Sequence, residues 1–263
     1  MYGQARHAHR HRRDPDADAG PGRGPGAGRD QAAAHQGRPE WPLPGLGGDR
    51  AQDRRRQPVP NGKYKFQAAL LAQSFGNNDF QRQYCGGSLI SPFEVLTAAH
   101  CVEFFGDQPD QLPLSDLRVV VGRTVLTSTQ GQKRRVAGIS IHPRWDPATF
   151  SFDVAVVHLA SPINGIALVM LVTPGVDALE RPGTLATVTG WGNTIQQPAG
   201  PGGGGVSYPD RMREAKVPLT SRAECQTVYT AAGAPIDATL LCAGAPTGTP
   251  AKATAAAPCS SRP

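Results

Sequence analysis

Residues 84–90 read Tyr-Cys-Gly-Gly-Ser-Leu-Ile and residues 96–101 read Leu-Thr-Ala-Ala-His-Cys, and these two segments decide the fold. Cys85 and Cys101 bracket the stretch, and a disulfide between them would close a short loop beside His100. Loop entropy alone would give such a bridge about 3 kcal/mol of stability. A histidine in a constrained turn can transfer protons near neutral pH, although a histidine beside a cysteine is by itself more often structural.

Short apolar or alternating runs of strand length surround this stretch, and many are rich in Val, Ile and Thr. They occupy residues 66–72, 84–90, 117–121, 136–141, 154–159, 185–189 and 215–219. Turn residues bound the runs, and no long helical pattern separates them. The sequence therefore predicts an all-β barrel or sandwich rather than alternating strands and helices.

Three more short segments farther along the chain carry recognisable motifs. Residues 152–159 read Phe-Asp-Val-Ala-Val-Val-His-Leu, residues 189–192 read Thr-Gly-Trp-Gly, and residues 241–244 read Leu-Cys-Ala-Gly. Together with Cys-Gly-Gly-Ser-Leu-Ile and Leu-Thr-Ala-Ala-His-Cys, they resemble the chymotrypsin/trypsin family of serine endopeptidases, peptidase family S1. The resemblance covers residues 57–248.

The resemblance implies two six-stranded antiparallel Greek-key barrels of the chymotrypsin type, the second of them incomplete. It implies that His100 is the general base and then the general acid, while Asp153 orients the imidazole and stabilises its protonated form. Without His100, Asp153 would more often be a carboxylate at a strand start or helix N-cap. His142 and His158 match no position of the triad, so we expect them to be structural or surface residues.

The cysteines indicate the compartment. The chain has five, and they show no zinc-binding spacing. The resemblance pairs Cys85 with Cys101 and Cys225 with Cys242, which leaves Cys259 over. Two disulfides fit a secreted, extracellular protein, although no signal peptide is visible at the N-terminus. Residues 123–135 lack the acidic cluster that calcium needs, so we expect no metal and no other cofactor.

The nucleophile motif of the family, Cys-Gln-Gly-Asp-Ser-Gly-Gly-Pro, is missing at its expected place after Leu-Cys-Ala-Gly. Residues 249–260 instead read Thr-Pro-Ala-Lys-Ala-Thr-Ala-Ala-Ala-Pro-Cys-Ser, and Ser260 and Ser261 lack the glycines of an oxyanion hole. Codons for this segment, with third bases chosen freely and read two bases later, can encode Ala-Cys-Gln-Gly-Asp-Ser-Gly-Gly-Pro-Leu-Phe. The serine codon would straddle Thr254 and Ala255.

The N-terminal boundary shows the same property. Residues 53–56 read Asp-Arg-Arg-Arg, and their codons read one base later can encode Ile-Val-Gly-Gly, the mature N-terminus of the family, in register with Gln57. The shifted codon before Ile encodes Lys or Arg, as an activating cleavage requires. We therefore expect residues 1–56 to be a disordered, out-of-frame tail, residues 57–248 the protease domain, and residues 249–263 a second out-of-frame tail.

The basic charge of the chain comes largely from its first residues. The formal net charge is +6, and residues 9–13 and 54–56 contribute much of it. This composition is more typical of a solvated tail than of a nucleic-acid anchor. No apolar run is long enough to span a membrane. We expect a monomer that acts on protein or peptide substrates and binds neither nucleic acid nor membrane.

The predicted function is serine-type proteolysis by family, with this polypeptide inactive because His100 and Asp153 have no hydroxyl to activate. One alternative is a pseudoprotease that uses the same fold as a binding module. Another is a true fusion in which residues 1–56 anchor the chain to nucleic acid or another surface through salt-sensitive contacts. The shifted codon at the base of the specificity pocket allows Asp, Asn, His or Tyr, so substrate preference stays open.

Overall fold

The computed structural model describes residues 56–173, 175, 177–195, 206–231 and 236–244. Apart from Arg56, the two tails predicted to be out of frame lie outside these described residues. Within the described ranges the chain forms nine strands and two helices: β1 Gln57–Pro58, β2 Gln67–Ala72, β3 Gln83–Ser91, β4 Glu94–Thr97, β5 Leu117–Val121, β6 Gln132–Ile141, β7 Ala155–Leu159, β8 Leu185–Gly190 and β9 Arg213–Pro218, with α1 Asp79–Arg82 and α2 Arg222–Ala231.

Six of these strands close into an antiparallel barrel in the order β2-β3-β4-β7-β6-β5. Strand β7 shows why the barrel forms, because Ala155, Val157 and Leu159 are buried while the residues between them are only partly buried. This alternation gives the strand one face for the barrel interior and one for the outside. The all-β class predicted from the sequence is confirmed.

The remaining three strands form a second antiparallel sheet in the order β1-β9-β8. Six residue pairs join β8 to β9, from Leu185 opposite Pro218 to Gly190 opposite Arg213. Gln57 and Pro58 pair with the start of this ladder at Glu214 and Arg213. The described residues therefore contain one closed barrel and part of a second, in keeping with the chymotrypsin-like architecture expected here.

Strand β2 joins the two halves of the core because it is buried on both of its faces. Ala68, Leu70 and Ala72 belong to the cluster inside the barrel. Ala69 and Leu71 face the other way, into a second cluster that also contains Val59, Val120, Leu126, Trp191 and Met212. A strand covered on both faces is apolar along its whole length, as residues 68–72 are.

Buried polar contacts fix the second sheet against the barrel. The side chain of Gln67 is almost fully buried, and its Oε1 accepts a hydrogen bond of 2.7 Å from the Thr189 hydroxyl. The Trp191 indole Nε1 donates to the Thr124 carbonyl at 3.2 Å. The Thr-Gly-Trp-Gly segment therefore lies where the barrel and the second sheet meet.

Candidate active site

The segment that carries His100 is fixed by close backbone packing. Strand β4 ends at Thr97, and a short 3-10 turn, Ala99–Cys101, follows it. The Thr97 hydroxyl donates to the Gly86 carbonyl at 2.7 Å. A Cβ at Gly87 would lie 2.7 Å from the Leu96 carbonyl oxygen, so a larger residue there would push β4 away. Gly87 of the sequence motif thus allows β3 to approach the strand that leads into His100.

Both disulfides implied by the resemblance are present in the structure. Cys85 is bonded to Cys101 with their Cα atoms 6.1 Å apart, and Cys225 is bonded to Cys242 with Cα atoms 6.2 Å apart. The first bridge ties strand β3 to the residue directly after His100. It therefore closes the turn that holds the imidazole.

We expect the double substitution of Cys85 and Cys101 by Ala to lower the free energy of unfolding by about 3 kcal/mol, because the unfolded chain regains the entropy of a short closed loop. Urea unfolding followed by circular dichroism measures this change. The Cys225–Cys242 bridge closes a loop of similar length, with a sequence separation of 17 against 16, so its removal by the matching double substitution should cost a similar amount. A loss below about 1 kcal/mol in the first variant would contradict the assigned stabilisation.

Asp153 lies at the end of the loop that precedes β7. The Val154 amide donates to the Phe152 carbonyl at 2.7 Å, which makes a tight turn centred on Asp153. Phe150 and Phe152 both have left-handed backbone angles, with φ of 58° and 56°. The aspartate is therefore presented by an unusual backbone rather than by a regular strand.

His100 and Asp153 meet directly. The Nδ1 atom of His100 lies 2.6 Å from Oδ2 of Asp153, and the His100 amide donates to Oδ1 at 2.9 Å. A carboxylate can only accept, so the first hydrogen bond places the proton on Nδ1 and makes Nε2 the basic nitrogen. The side chains are 22% and 18% exposed, which leaves the pair within reach of solvent and substrate.

Aromatic side chains border the imidazole. The Phe150 ring meets the His100 ring edge-on with centroids 5.9 Å apart, and Trp145 packs against Phe150 at 5.6 Å. The Trp145 Nε1 donates to Glu103 Oε2 at 2.8 Å. Trp145, Phe150 and Glu103 were not predictable from the sequence, because none of them lies in a recognisable motif.

Residues from the second half of the chain also reach the loop of Asp153. The Ser151 hydroxyl donates to the carboxylate of Asp237, and the Phe152 amide donates to the Thr239 hydroxyl at 3.1 Å. Hydrogen bonds from Ser151 and from Thr239 hold the pKa of Asp237 below its usual range. The segment just before Cys242 therefore supports the loop that carries Asp153.

The other two histidines of the described residues do not join this pair, and the cysteines beside His100 offer no metal ligand. Among the described residues, Cys85, His100 and Cys101 bring potential metal-ligand atoms within 4.8 Å of one another. Both sulfurs are bonded to each other, however, so neither offers the thiolate that metals prefer. His142 stacks on Phe152, and His158 lies on the outside of the barrel within 2.8 Å of the Ser140 hydroxyl.

A closed antiparallel barrel with an imidazole–carboxylate pair at its edge, packed against a second sheet, is the architecture of the two-barrel serine proteases. The sequence profile of the family described as Trypsin matches residues 54–255. The chain therefore belongs to the trypsin family of serine proteases. Within the part of the chain that the structure describes, no helix is long and apolar enough to cross a bilayer.

Individual relatives agree with this assignment. The chain is 35% identical over 167 residues to a trypsin of Saccharopolyspora erythraea, covering 64% of this chain and 65% of that protein. It is 33% identical over 189 residues to serine protease filzig of Drosophila melanogaster, covering 70% of this chain and 10% of that protein. It is 26% identical over 208 residues to human mannan-binding lectin serine protease 1, of which it covers 28%. The chain thus spans just under two thirds of the first relative and smaller shares of the other two.

Proposed function

We propose that this chain carries the core of a secreted serine endopeptidase and that the polypeptide as it stands does not hydrolyse peptides. The observation that carries the first half of the proposal is the His100–Asp153 pair, in which both carboxylate oxygens accept hydrogen bonds from His100. This arrangement prepares Nε2 to remove a proton from a hydroxyl.

In this mechanism His100 would take the proton of a serine hydroxyl as that oxygen attacks a peptide carbonyl. It would then give the proton to the leaving amine, while Asp153 stabilises the positive charge on the imidazole. Both steps need a nucleophile beside Nε2. Residues 249–260 contain no Gly-Asp-Ser-Gly, and codons permitted for them can encode that motif only in a neighbouring frame, which is why we propose an inactive chain.

The described part of the second sheet has an open edge, as the proposed break in the reading frame after residue 248 would leave. Strand β8 pairs with β9 along one edge, and no described residue pairs with its other edge. Apolar side chains near this sheet and in the connection leading to it are exposed to solvent: Leu168, Met170, Leu171, Leu185 and Leu241. An open strand edge and exposed apolar surface are what remains when a barrel lacks its final strands.

The pairing of strand β1, Gln57–Pro58, supports the first boundary. Gln57, the residue at which the two frames come into register, pairs with Glu214 in strand β9. The Val59 amide then donates to the Met212 carbonyl at 2.9 Å. Gln57 is therefore paired in the second sheet, as a protease domain that begins in register at this residue requires.

The two disulfides support an extracellular site of action, since such bonds persist in oxidising compartments. We propose that the enzyme with an intact frame is a monomer that acts on protein or peptide substrates. It would need no metal or organic cofactor, because the triad mechanism proceeds with side chains alone.

A fluorophosphonate probe tests the inactivity of this chain. Such a probe reacts with an activated serine, so we expect no labelling of the purified protein under conditions that label pancreatic trypsin fully. Heat-denatured samples of both proteins give the background. Specific labelling of a serine in this chain would overturn the proposal.

Resequencing of the gene tests whether changes of reading frame are the cause of the proposed inactivity. We expect a change of frame across codons 50–58 and a second across codons 246–261. An uninterrupted frame through both regions would reject the disrupted protease and favour the binding module.

A further inference from the structure

Two bulky residues in the loop before β7 adopt a backbone conformation that L-residues avoid. Phe150 and Phe152 have φ angles of 58° and 56°. Left-handed angles at bulky residues persist only where the surrounding structure holds them. Phe152 directly precedes Asp153, so its backbone angles set the direction in which the carboxylate points.

The Phe152 side chain is held by two neighbours on the same loop. Its ring is nearly parallel to that of His142, with 5° between the planes and 4.7 Å between the centroids. The Arg144 guanidinium lies over the same ring at 3.8 Å from its centroid, a favourable cation–π distance. The Arg144 amide donates to His142 Nδ1 at 3.2 Å, which fixes the two partners relative to each other. We call His142, Arg144 and Phe152 the Phe152 clamp.

Backbone hydrogen bonds connect the clamp to both sides of Asp153. The His142 amide donates to the Val154 carbonyl at 3.0 Å, and the Val154 amide donates to the Phe152 carbonyl at 2.7 Å. On the other side, the Phe152 amide donates to the Thr239 hydroxyl at 3.1 Å. Asp153 is thus the single residue between two anchored neighbours.

We propose that the Phe152 clamp is a positioning device that keeps both carboxylate oxygens of Asp153 directed at His100. This inference rests on the proposed function, since it concerns the same His–Asp pair. The clamp residues act on the His–Asp pair through the backbone of the residues beside Asp153. If the ring were released, the turn would lose its anchor on His142 and Arg144, and the carboxylate would be free to rotate away from the imidazole even where residue 152 tolerates left-handed angles.

The clamp could instead only stabilise the loop. In that case its loss would lower the melting temperature and leave the geometry of the pair unchanged. Two measurements separate a positioning role from a purely stabilising one, because they follow the geometry of the His–Asp pair directly. Each measurement reports on one carboxylate oxygen of Asp153. The His100 amide donates to Oδ1, so its hydrogen exchange reports that contact. The Nδ1 proton of His100 is donated to Oδ2, so its resonance reports the other.

The experiment uses the full chain, labelled with nitrogen-15, and compares it with three variants by nuclear magnetic resonance. Phe152→Asn keeps a residue that tolerates left-handed angles but removes the ring. We expect the His100 amide to exchange at least about tenfold faster and the Nδ1 proton to be lost to exchange with solvent. Phe152→Tyr keeps the ring and should match the parent chain. Phe93→Asn removes an exposed phenylalanine elsewhere on the barrel and should also change neither signal.

The outcomes distinguish the two proposals. If the parent chain shows neither a protected His100 amide nor an Nδ1 proton resonance, the His–Asp pair fails and the proposed function fails with it. If the parent shows both and a folded Phe152→Asn protein keeps both, the clamp is overturned while the pair stands. Should Phe152→Asn not fold, Arg144→Met removes the cation above the ring, and unchanged His100 signals in that variant would equally reject the clamp.

Discussion

A gene edited so that both boundary segments are read in the alternative frame should yield a protein that hydrolyses peptide bonds about 10⁶-fold faster than the chain as it stands. The restored segment supplies the serine of Gly-Asp-Ser-Gly, and its glycines supply backbone donors for the oxyanion. His100 and Asp153 already face each other at 2.6 Å, so the base is in place before the nucleophile arrives. The increase in rate therefore reflects the complete covalent mechanism, which needs the serine and the oxyanion donors together.

Restoring each boundary separately tests what each of the two segments contributes to activity. A protein corrected only at the first boundary still lacks the serine and should stay inert. A protein corrected only at the second boundary has the serine but keeps residues 1–56, so it cannot release an Ile-Val terminus. The family resemblance implies that the ammonium of this terminus pairs with the aspartate beside that serine. We expect this protein to remain far less active than the doubly corrected enzyme after treatment with an activating protease.

The measurement is kcat/KM on a panel of peptide amides with Lys, Arg, Tyr or Leu before the scissile bond. The panel is broad because the shifted codon at the pocket base permits Asp, Asn, His or Tyr. A doubly corrected enzyme whose serine is changed to Ala gives the background rate. If the doubly corrected protein folds and cleaves none of the peptides above that background, the frame hypothesis is wrong.

Much of the barrel was predictable from sequence because its strands alternate or run apolar. The run at residues 117–121 matches β5 Leu117–Val121, and the run at 154–159 lies within one residue of β7. Strand β6, Gln132–Ile141, begins four residues before the predicted run at 136–141. Its first half is polar because Lys133 and Arg135 point to solvent, while the backbone pairs with β5. A polar barrel exterior therefore concealed the start of the strand.

The His–Asp pair was predictable for a different reason, since each member lies in a short local motif. The residues that hold Asp153 were not predictable. A phenylalanine with φ near 56° gives no signal in sequence, because it is the packing of His142 and Arg144 that supports it. Contacts from Asp237 and Thr239 come from more than 80 residues away in the chain. Such support depends on the tertiary fold, and neither composition nor spacing records it.

Replacing Asp153 by Asn in the doubly corrected enzyme should lower kcat by about 10⁴-fold with little change in KM. The carboxylate accepts two hydrogen bonds from His100, one from the amide and one from Nδ1. An asparagine can still accept from the amide, but its NH₂ group would then face Nδ1 as a second donor. The imidazole would relieve this conflict by moving its proton to Nε2, and that nitrogen could no longer take a proton from serine.

The matched control is Asp146→Asn, which changes a carboxylate in the same loop. Hydrogen bonds from the Ala148 amide and the Thr149 hydroxyl lower the pKa of Asp146, so it also serves as an acceptor, but its partners lie within its own turn. We expect this variant to keep kcat within about threefold, since a turn contact contributes only a modest net energy. A loss below about tenfold in Asp153→Asn would show that the carboxylate does not set the tautomer of His100. Equal losses in the two variants would instead assign the effect to the loop as a whole, because only Asp153 contacts the imidazole that moves the proton.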